Sequence, residues 1–99
     1  MIKIHGLEDY ELKEIQNIVL SHIRYLRENY CLEGLDFLTI DIIPIGSRVS
    51  GLADIDSDFD IKIKYIGCAR EDDMFNSLND ENDRLIIEDI IVDFFPEKG

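Results

Sequence analysis

The chain has 99 residues, of which 45% are hydrophobic and 32% charged, and its formal net charge is -12. This length fits a single folded domain and leaves no room for a separate substrate-binding domain. The acidic balance opposes direct nucleic-acid binding, which needs clustered Lys and Arg. No apolar run approaches the roughly 20 residues of a membrane span, and the first residues lack a signal-peptide layout. We therefore expect a cytoplasmic domain with neither a membrane nor a nucleic-acid partner.

Residues 8–30 have the pattern of an amphipathic helix. Polar residues separate the apolar residues, which recur at steps of three and four. The apolar stripe consists of Leu12, Ile15, Ile18, Val19, Ile23, Leu26 and Tyr30. His22 lies beside this stripe, and we interpret it as a packed residue at the edge of the core and not as a ligand.

Two strands are predicted next, at about residues 37–45 and 58–66. Pro44 is acceptable only at the end or edge of the first strand, which stops at the turn Gly46-Ser47. The second strand alternates, because successive side chains of a strand point to opposite faces. Its apolar face holds Phe59, Ile61, Ile63 and Tyr65, and its polar face holds Asp58, Asp60, Lys62 and Lys64.

The remainder of the chain predicts a helix and a third strand. Residues 70–83 fit a short helix or an ordered loop. Residues 85–95 form an apolar stretch in which Asp89 and Asp93 share one strand face. The whole order predicts one α/β (α+β) domain covering residues 1–99, with a small mixed sheet and helices packed on one face.

The two cysteines indicate no site. Cys31 and Cys68 are far apart in sequence and lack the paired spacing of a zinc site. We therefore expect two reduced thiols without a function.

Asp58 and Asp60 are candidate metal ligands. On one strand face their Cα atoms lie about 6.6 Å apart, so both carboxylates can converge on one ion. Their mutual repulsion favours a cation, and hard carboxylate oxygens favour Mg²⁺, with Mn²⁺ as the alternative. A third carboxylate on a neighbouring strand would complete a two-metal site for phosphoryl transfer. Asp93 is the candidate. Asp89 remains an alternative, because the two residues share one face of the predicted third strand.

The turn that follows the first strand is a candidate phosphate site. Backbone N–H groups at Gly46, the hydroxyl of Ser47 and the start of a helix can bind an anion together. Arg48 can add a phosphate contact, and Gly51 allows a close backbone approach. An ordinary strand-ending turn remains the simpler interpretation of Gly46-Ser47 taken alone.

Three rival interpretations of this segment fit the residues less well. A calcium loop beginning at Asp54 would put Phe59 where that loop needs glycine. A phosphate-binding P-loop would need Lys followed by Ser or Thr where Leu52 and Ala53 stand. An aspartyl-nucleophile phosphatase leaves the Gly46-Ser47 turn unexplained.

The pattern Ile45-Gly46-Ser47, a gap over residues 48–57, then Asp58-Phe59-Asp60-Ile61 resembles the polymerase β-type nucleotidyltransferase superfamily. It is particularly similar to the minimal nucleotidyltransferases of that superfamily. The resemblance, with the aspartate of the third strand, covers about half of the chain.

The resemblance implies a nucleotidyltransferase fold whose open face binds ATP and two Mg²⁺ ions. It implies that Asp58, Asp60 and Asp93 hold the metals and that Gly46 and Ser47 hold the phosphates. The implied reaction transfers AMP from ATP to an acceptor hydroxyl, and Asp93 helps to activate the acceptor.

The chain departs from larger members of the superfamily because it ends soon after the third strand. Recognition of the acceptor must therefore come from elsewhere. Minimal members often act with a separate helical partner, and some are antitoxins that adenylylate or mask a HEPN-type toxin. A catalytically inactive antitoxin that neutralises a partner by contact remains the alternative, and an acidic surface would suit a basic partner.

Overall fold

The computed structural model describes residues 6–29, 32, 34–45 and 58–99. Its elements are helix α1 (Leu12–Glu28), strand β1 (Leu38–Ile45), strand β2 (Phe59–Ile66), helix α2 (Glu71–Leu78), a 3₁₀ turn (Glu81–Asp83), strand β3 (Ile86–Ile87) and strand β4 (Ile90–Lys98). Two helices and one mixed four-stranded sheet confirm the predicted small α/β class.

The four strands lie side by side in the order β1-β2-β4-β3. β2 runs parallel to β4, whereas β1 is antiparallel to β2 and β3 is antiparallel to β4. The parallel pair is joined through α2, as a parallel connection requires a crossover. Among the described strands β1 lies at the edge of the sheet, which explains how Pro44 can lie within it.

One face of the sheet forms the core together with both helices. The four side chains on the predicted apolar face of β2 are 0% exposed, which confirms the alternation predicted for this strand. They are Phe59, Ile61, Ile63 and Tyr65. The buried stripe of α1 and the buried residues of α2 belong to the same cluster. The alternate side chains of β2, including Asp60, therefore lie on the face away from both helices.

Helix α1 is shorter at its start than the predicted range 8–30. It begins at Leu12, and the backbone N–H of Glu11 donates a hydrogen bond of 3.1 Å to the side chain of Glu14. This bond satisfies a backbone donor just before the first helical turn, where a helix provides no internal partner. The predicted last residue, Tyr30, lies outside the described residues.

The prediction of one continuous strand over residues 85–95 is wrong. Glu88 and Asp89 have positive φ angles of 51° and 65° and form the turn between β3 and β4. Positive φ at both central residues is the geometry that matches the twist of a tight hairpin. β4 therefore runs from Ile90 to Lys98 and continues through Pro96, beside which the described residues form no strand on the outer side.

A tight corner at Gly67 follows β2. Its φ is +133°, and a Cβ atom there would lie 2.3 Å from the carbonyl oxygen of Asp36. That oxygen also accepts a 2.9 Å hydrogen bond from the backbone N–H of Ala69. The Tyr65 hydroxyl donates to the Ala69 carbonyl at 2.9 Å, and burial raises the pKa of Tyr65. The corner thus requires glycine at position 67.

His22 packs at the edge of the core, as the sequence predicts. Its ring stacks on Tyr25 and on Phe94 with centroid separations of 6.1 Å each. Burial lowers the pKa of His22, and interactions with Asp83 oppose that shift. The Nε2 atom of His22 is buried and has no hydrogen-bond partner among the described residues.

Two other expectations concern cysteines and membranes. Cys68 is an exposed free thiol, and Cys31 lies outside the described residues. Within the described ranges, no helix combines the length and apolar character that crossing a membrane requires.

Candidate functional site

The parallel pairing of β2 and β4 brings two of the predicted metal ligands together. Asp60 and Asp93 are register partners on these adjacent strands. Their neighbours Phe59 and Val92, also register partners, point into the core, so both carboxylates lie on the opposite face. Of the two candidates for the third carboxylate, the structure thus puts Asp93 beside Asp60.

Asp89 lies elsewhere. It is an exposed residue of the hairpin turn and not a member of β4. The predicted shared face of Asp89 and Asp93 is therefore wrong, because two turn residues separate β3 from β4.

Asp58 directly precedes β2 and is exposed. It lies near enough to Asp60 to affect its titration: burial is the main cause that raises the pKa of Asp60, and repulsion from Asp58 adds to it. A raised carboxyl pKa means that the negative charge is poorly compensated at this position. A bound cation would supply that compensation.

Arg84 pairs with Asp93, a contact that the sequence analysis missed. Its guanidinium forms an ion pair with the Asp93 carboxylate, and the two side chains are only 25% and 27% exposed. The Arg84 Nη2 also donates to the carbonyl oxygen of Val92 at 3.2 Å. Arg84 thus holds both the carboxylate of Asp93 and the backbone beside it.

The hairpin explains how Arg84 reaches this position. Ile86 pairs with Ile91, and continuing that antiparallel register by two residues puts Arg84 opposite Asp93. A 3.0 Å bond from Val92 N–H to the Leu85 carbonyl supports this continuation. Recognising the turn at 88–89 in the sequence would have revealed the pair, but that turn lacks the Gly or Asn that usually marks it.

Asn79 fixes the backbone on the other side of Asp93. Its side-chain oxygen accepts a hydrogen bond from Phe94 N–H at 2.8 Å, and its side-chain nitrogen donates to the Phe94 carbonyl at 2.9 Å. The amide therefore takes the place of a neighbouring strand along this part of β4. The backbone on both sides of Asp93 is thus bonded to side chains, of Arg84 at Val92 and of Asn79 at Phe94.

The residues of the predicted phosphate site lie outside the described residues; they are Gly46, Ser47, Arg48 and Gly51. The preceding residue, Ile45, is the register partner of Asp60. The strand that leads into the predicted turn therefore ends beside the carboxylates.

Comparisons with known proteins identify no relative. No protein-family model matches the chain, and neither a curated protein nor a solved structure matches it significantly. The function must be inferred from the site itself.

The carboxylates fit a hard divalent cation by their chemistry, since all three candidates present oxygen donors. Within the residues that the structure describes, no group of three His, Cys, Asp or Glu side chains is arranged to hold a metal ion. The contact between Asp93 and Arg84 gives a physical reason, because a carboxylate that faces a guanidinium is not free to converge with Asp60. A metal site here requires the Asp93 side chain to exchange partners.

Proposed function

We propose that the chain is a metal-dependent nucleotidyltransferase with the fold of the polymerase β superfamily. The observation that supports this best is the pairing of Asp60 with Asp93 on adjacent parallel strands, with Asp58 close to Asp60. A sheet face that carries these carboxylates on the side away from both helices suits Mg²⁺ or Mn²⁺ and, through the metals, the triphosphate of ATP. The proposal includes a cytoplasmic location, where ATP is available.

In the proposed reaction, AMP passes from ATP to an acceptor hydroxyl. The acceptor oxygen forms a bond to the α-phosphorus, the bond to the bridging oxygen breaks, and pyrophosphate leaves with the electron pair. Asp58, Asp60 and Asp93 would hold two Mg²⁺ ions, which would stabilise charge on the attacking and leaving oxygens. The Asp93 carboxylate would take the hydroxyl proton. Gly46, Ser47, Arg48 and Gly51 would bind the phosphates.

Labelled ATP tests this proposal. The protein is incubated with Mg²⁺, ATP labelled at the α-phosphate and a cell extract, and we expect an acceptor to become labelled. An Asp58→Asn/Asp60→Asn variant should label nothing, whereas the control Asp89→Asn, which changes a carboxylate in the hairpin turn, should label normally. Equal labelling by the double variant would exclude the proposed chemistry.

A second candidate function is an inactive binding module, and the ion pair between Arg84 and Asp93 specifically favours it. A carboxylate that is permanently neutralised by arginine would not bind a metal, which argues against catalysis and leaves contact with a partner through the rest of the acidic surface. The partner would be a basic protein, for which the helical HEPN-type toxin of the resemblance is the first candidate. If the Asp58→Asn/Asp60→Asn variant neutralises a co-expressed toxin as well as the native protein does, contact is favoured over chemistry.

A further inference from the structure

We propose that Arg84 is an internal counter-cation that holds Asp93 while the site is empty and moves to the phosphates of the nucleotide when a divalent metal binds. This inference rests on the proposed function. It makes Arg84 a positioning residue that couples metal binding to nucleotide binding.

The first support is the cross-strand arrangement of charges. Asp60 lies beside Asp93 on one side, and the extended hairpin register puts Arg84 on the other side. Like charges directly opposite each other destabilise a sheet, and an opposite charge at the next position offsets this. Among the described residues, Arg84 is a positive group that compensates the charge of Asp93 beside Asp60 when no metal is bound.

The second support is the incomplete bonding of the guanidinium. Arg84 contacts Asp93 and the carbonyl oxygen of Val92, but its buried Nε finds no acceptor within the described part of the chain. Buried donors in folded proteins are nearly always paired. Arg84 therefore has one N–H group that could still donate to a further acceptor.

Competition for one carboxylate gives the functional consequence. A metal at Asp60 and Asp93 must displace the guanidinium, because both cations need the same oxygens of Asp93. The released guanidinium is planar, remains charged and matches phosphate oxygens in a two-bond geometry. A triphosphate would supply its new partner. Metal and nucleotide should therefore each raise the affinity for the other.

A purely structural ion pair predicts a different result. If Arg84 only stabilises the hairpin, its removal should lower stability and leave metal affinity unchanged or weaker. If Arg84 competes with the metal, its removal should strengthen the binding of metal alone. Metal affinity thus separates the two roles, whereas stability does not.

The test measures Mn²⁺ binding from the electron paramagnetic resonance signal of the free ion. The native protein, Arg84→Gln and Arg84→Lys are titrated with Mn²⁺, alone and with a non-hydrolysable ATP analogue. Arg70→Gln is the matched control. Arg70 is a highly exposed arginine whose Nη2 lies 4.0 Å from a carboxylate oxygen of Asp72. Its replacement changes the net charge by the same amount as Arg84→Gln does. Circular dichroism in EDTA checks that each variant is folded, and Arg84→Lys serves if Arg84→Gln does not fold.

We expect Arg84→Gln to bind Mn²⁺ alone about tenfold more tightly than the native protein and to lose most of the enhancement by the analogue. The Mn²⁺ affinity of Arg84→Lys should lie between those of the native protein and Arg84→Gln, since lysine keeps the charge without the planar two-bond geometry. Unchanged or weaker Mn²⁺ binding by Arg84→Gln, relative to Arg70→Gln, would overturn the role of Arg84 and leave the nucleotidyltransferase proposal standing. Absence of Mn²⁺ binding by every protein, with and without the analogue, would overturn both.

Discussion

Two isosteric substitutions in the carboxylate pair should change stability in opposite directions when no metal is present. Asp93→Asn removes the partner of a partly buried arginine and should destabilise the protein. Asp60→Asn removes a partly buried charge that Asp58 repels and that lies beside Asp93 on the next strand, and it should stabilise the protein slightly. The opposite signs follow from the position of Arg84, which pairs with Asp93.

The exposure of the side chains sets the expected magnitudes. Arg84 and Asp93 are 25% and 27% exposed, between a surface pair and a buried pair. Breaking a surface pair costs up to about 1 kcal/mol and removing one partner of a buried pair about 3–5 kcal/mol, so Asp93→Asn should cost about 1–3 kcal/mol. Relief of cross-strand repulsion by Asp60→Asn should gain roughly 0.2–1 kcal/mol.

Urea unfolding in EDTA measures both effects. Glu97→Gln is the control, because Glu97 forms a 3.5 Å ion pair with Lys62. These two side chains are more exposed, 49% for Glu97 and 36% for Lys62. That control should change the free energy of unfolding by less than about 1 kcal/mol. The reasoning is refuted if Asp93→Asn is as stable as the native protein, or if Asp60→Asn is destabilised as much as Asp93→Asn.

Three further predictions concern residues that support the site or the fold. Asn79→Ala removes both bonds to the backbone of Phe94 and should lower the free energy of unfolding by about 1–3 kcal/mol, with faster hydrogen exchange of the Phe94 amide. Unchanged exchange at this amide would contradict the proposed support of β4. The lowered pKa of His22 means that folding disfavours the protonated imidazole. The protein therefore loses no stability from His22 above the ordinary pKa of 6.5, and it loses stability as the pH falls below 6.5. The native protein should therefore lose stability relative to His22→Gln between pH 7.5 and 5.5, and parallel pH profiles would contradict this. Gly67→Ala should destabilise the fold by several kcal/mol because a Cβ would clash with backbone, whereas Gly34→Ala, with positive φ but open space, should cost only about 1 kcal/mol. Equal melting temperatures for the two glycine variants would show that the corner can relax.

Strand periodicity made one part of the site predictable. Phe59 and Ile61 are fully buried, so Asp60 between them must point to the other face. The same argument correctly separates Asp93 from the buried Val92 and Phe94. The alternation involves only residues that are adjacent in the sequence, so it can be predicted without knowing the fold.

The contacts made over longer distances were not predictable in this way. Arg84 meets Asp93 only because the chain reverses at Glu88 and Asp89, two residues that do not usually adopt positive φ. Asn79 bonds to Phe94 because α2 ends at the open edge of β4, which depends on packing. Periodicity describes the face on which a side chain lies, but not its partner across the fold.

We propose that Asp58, Asp60 and Asp93 bind metal and nucleotide together. Amide chemical shifts followed by NMR while Mg²⁺ and then ATP are added test this binding. We expect shifts at Asp60, Asp93 and Arg84 that are larger with both ligands than with either alone, and that are lost in the Asp58→Asn/Asp60→Asn variant. The claim is contradicted if these amides do not shift, or if the double variant shows the same shifts.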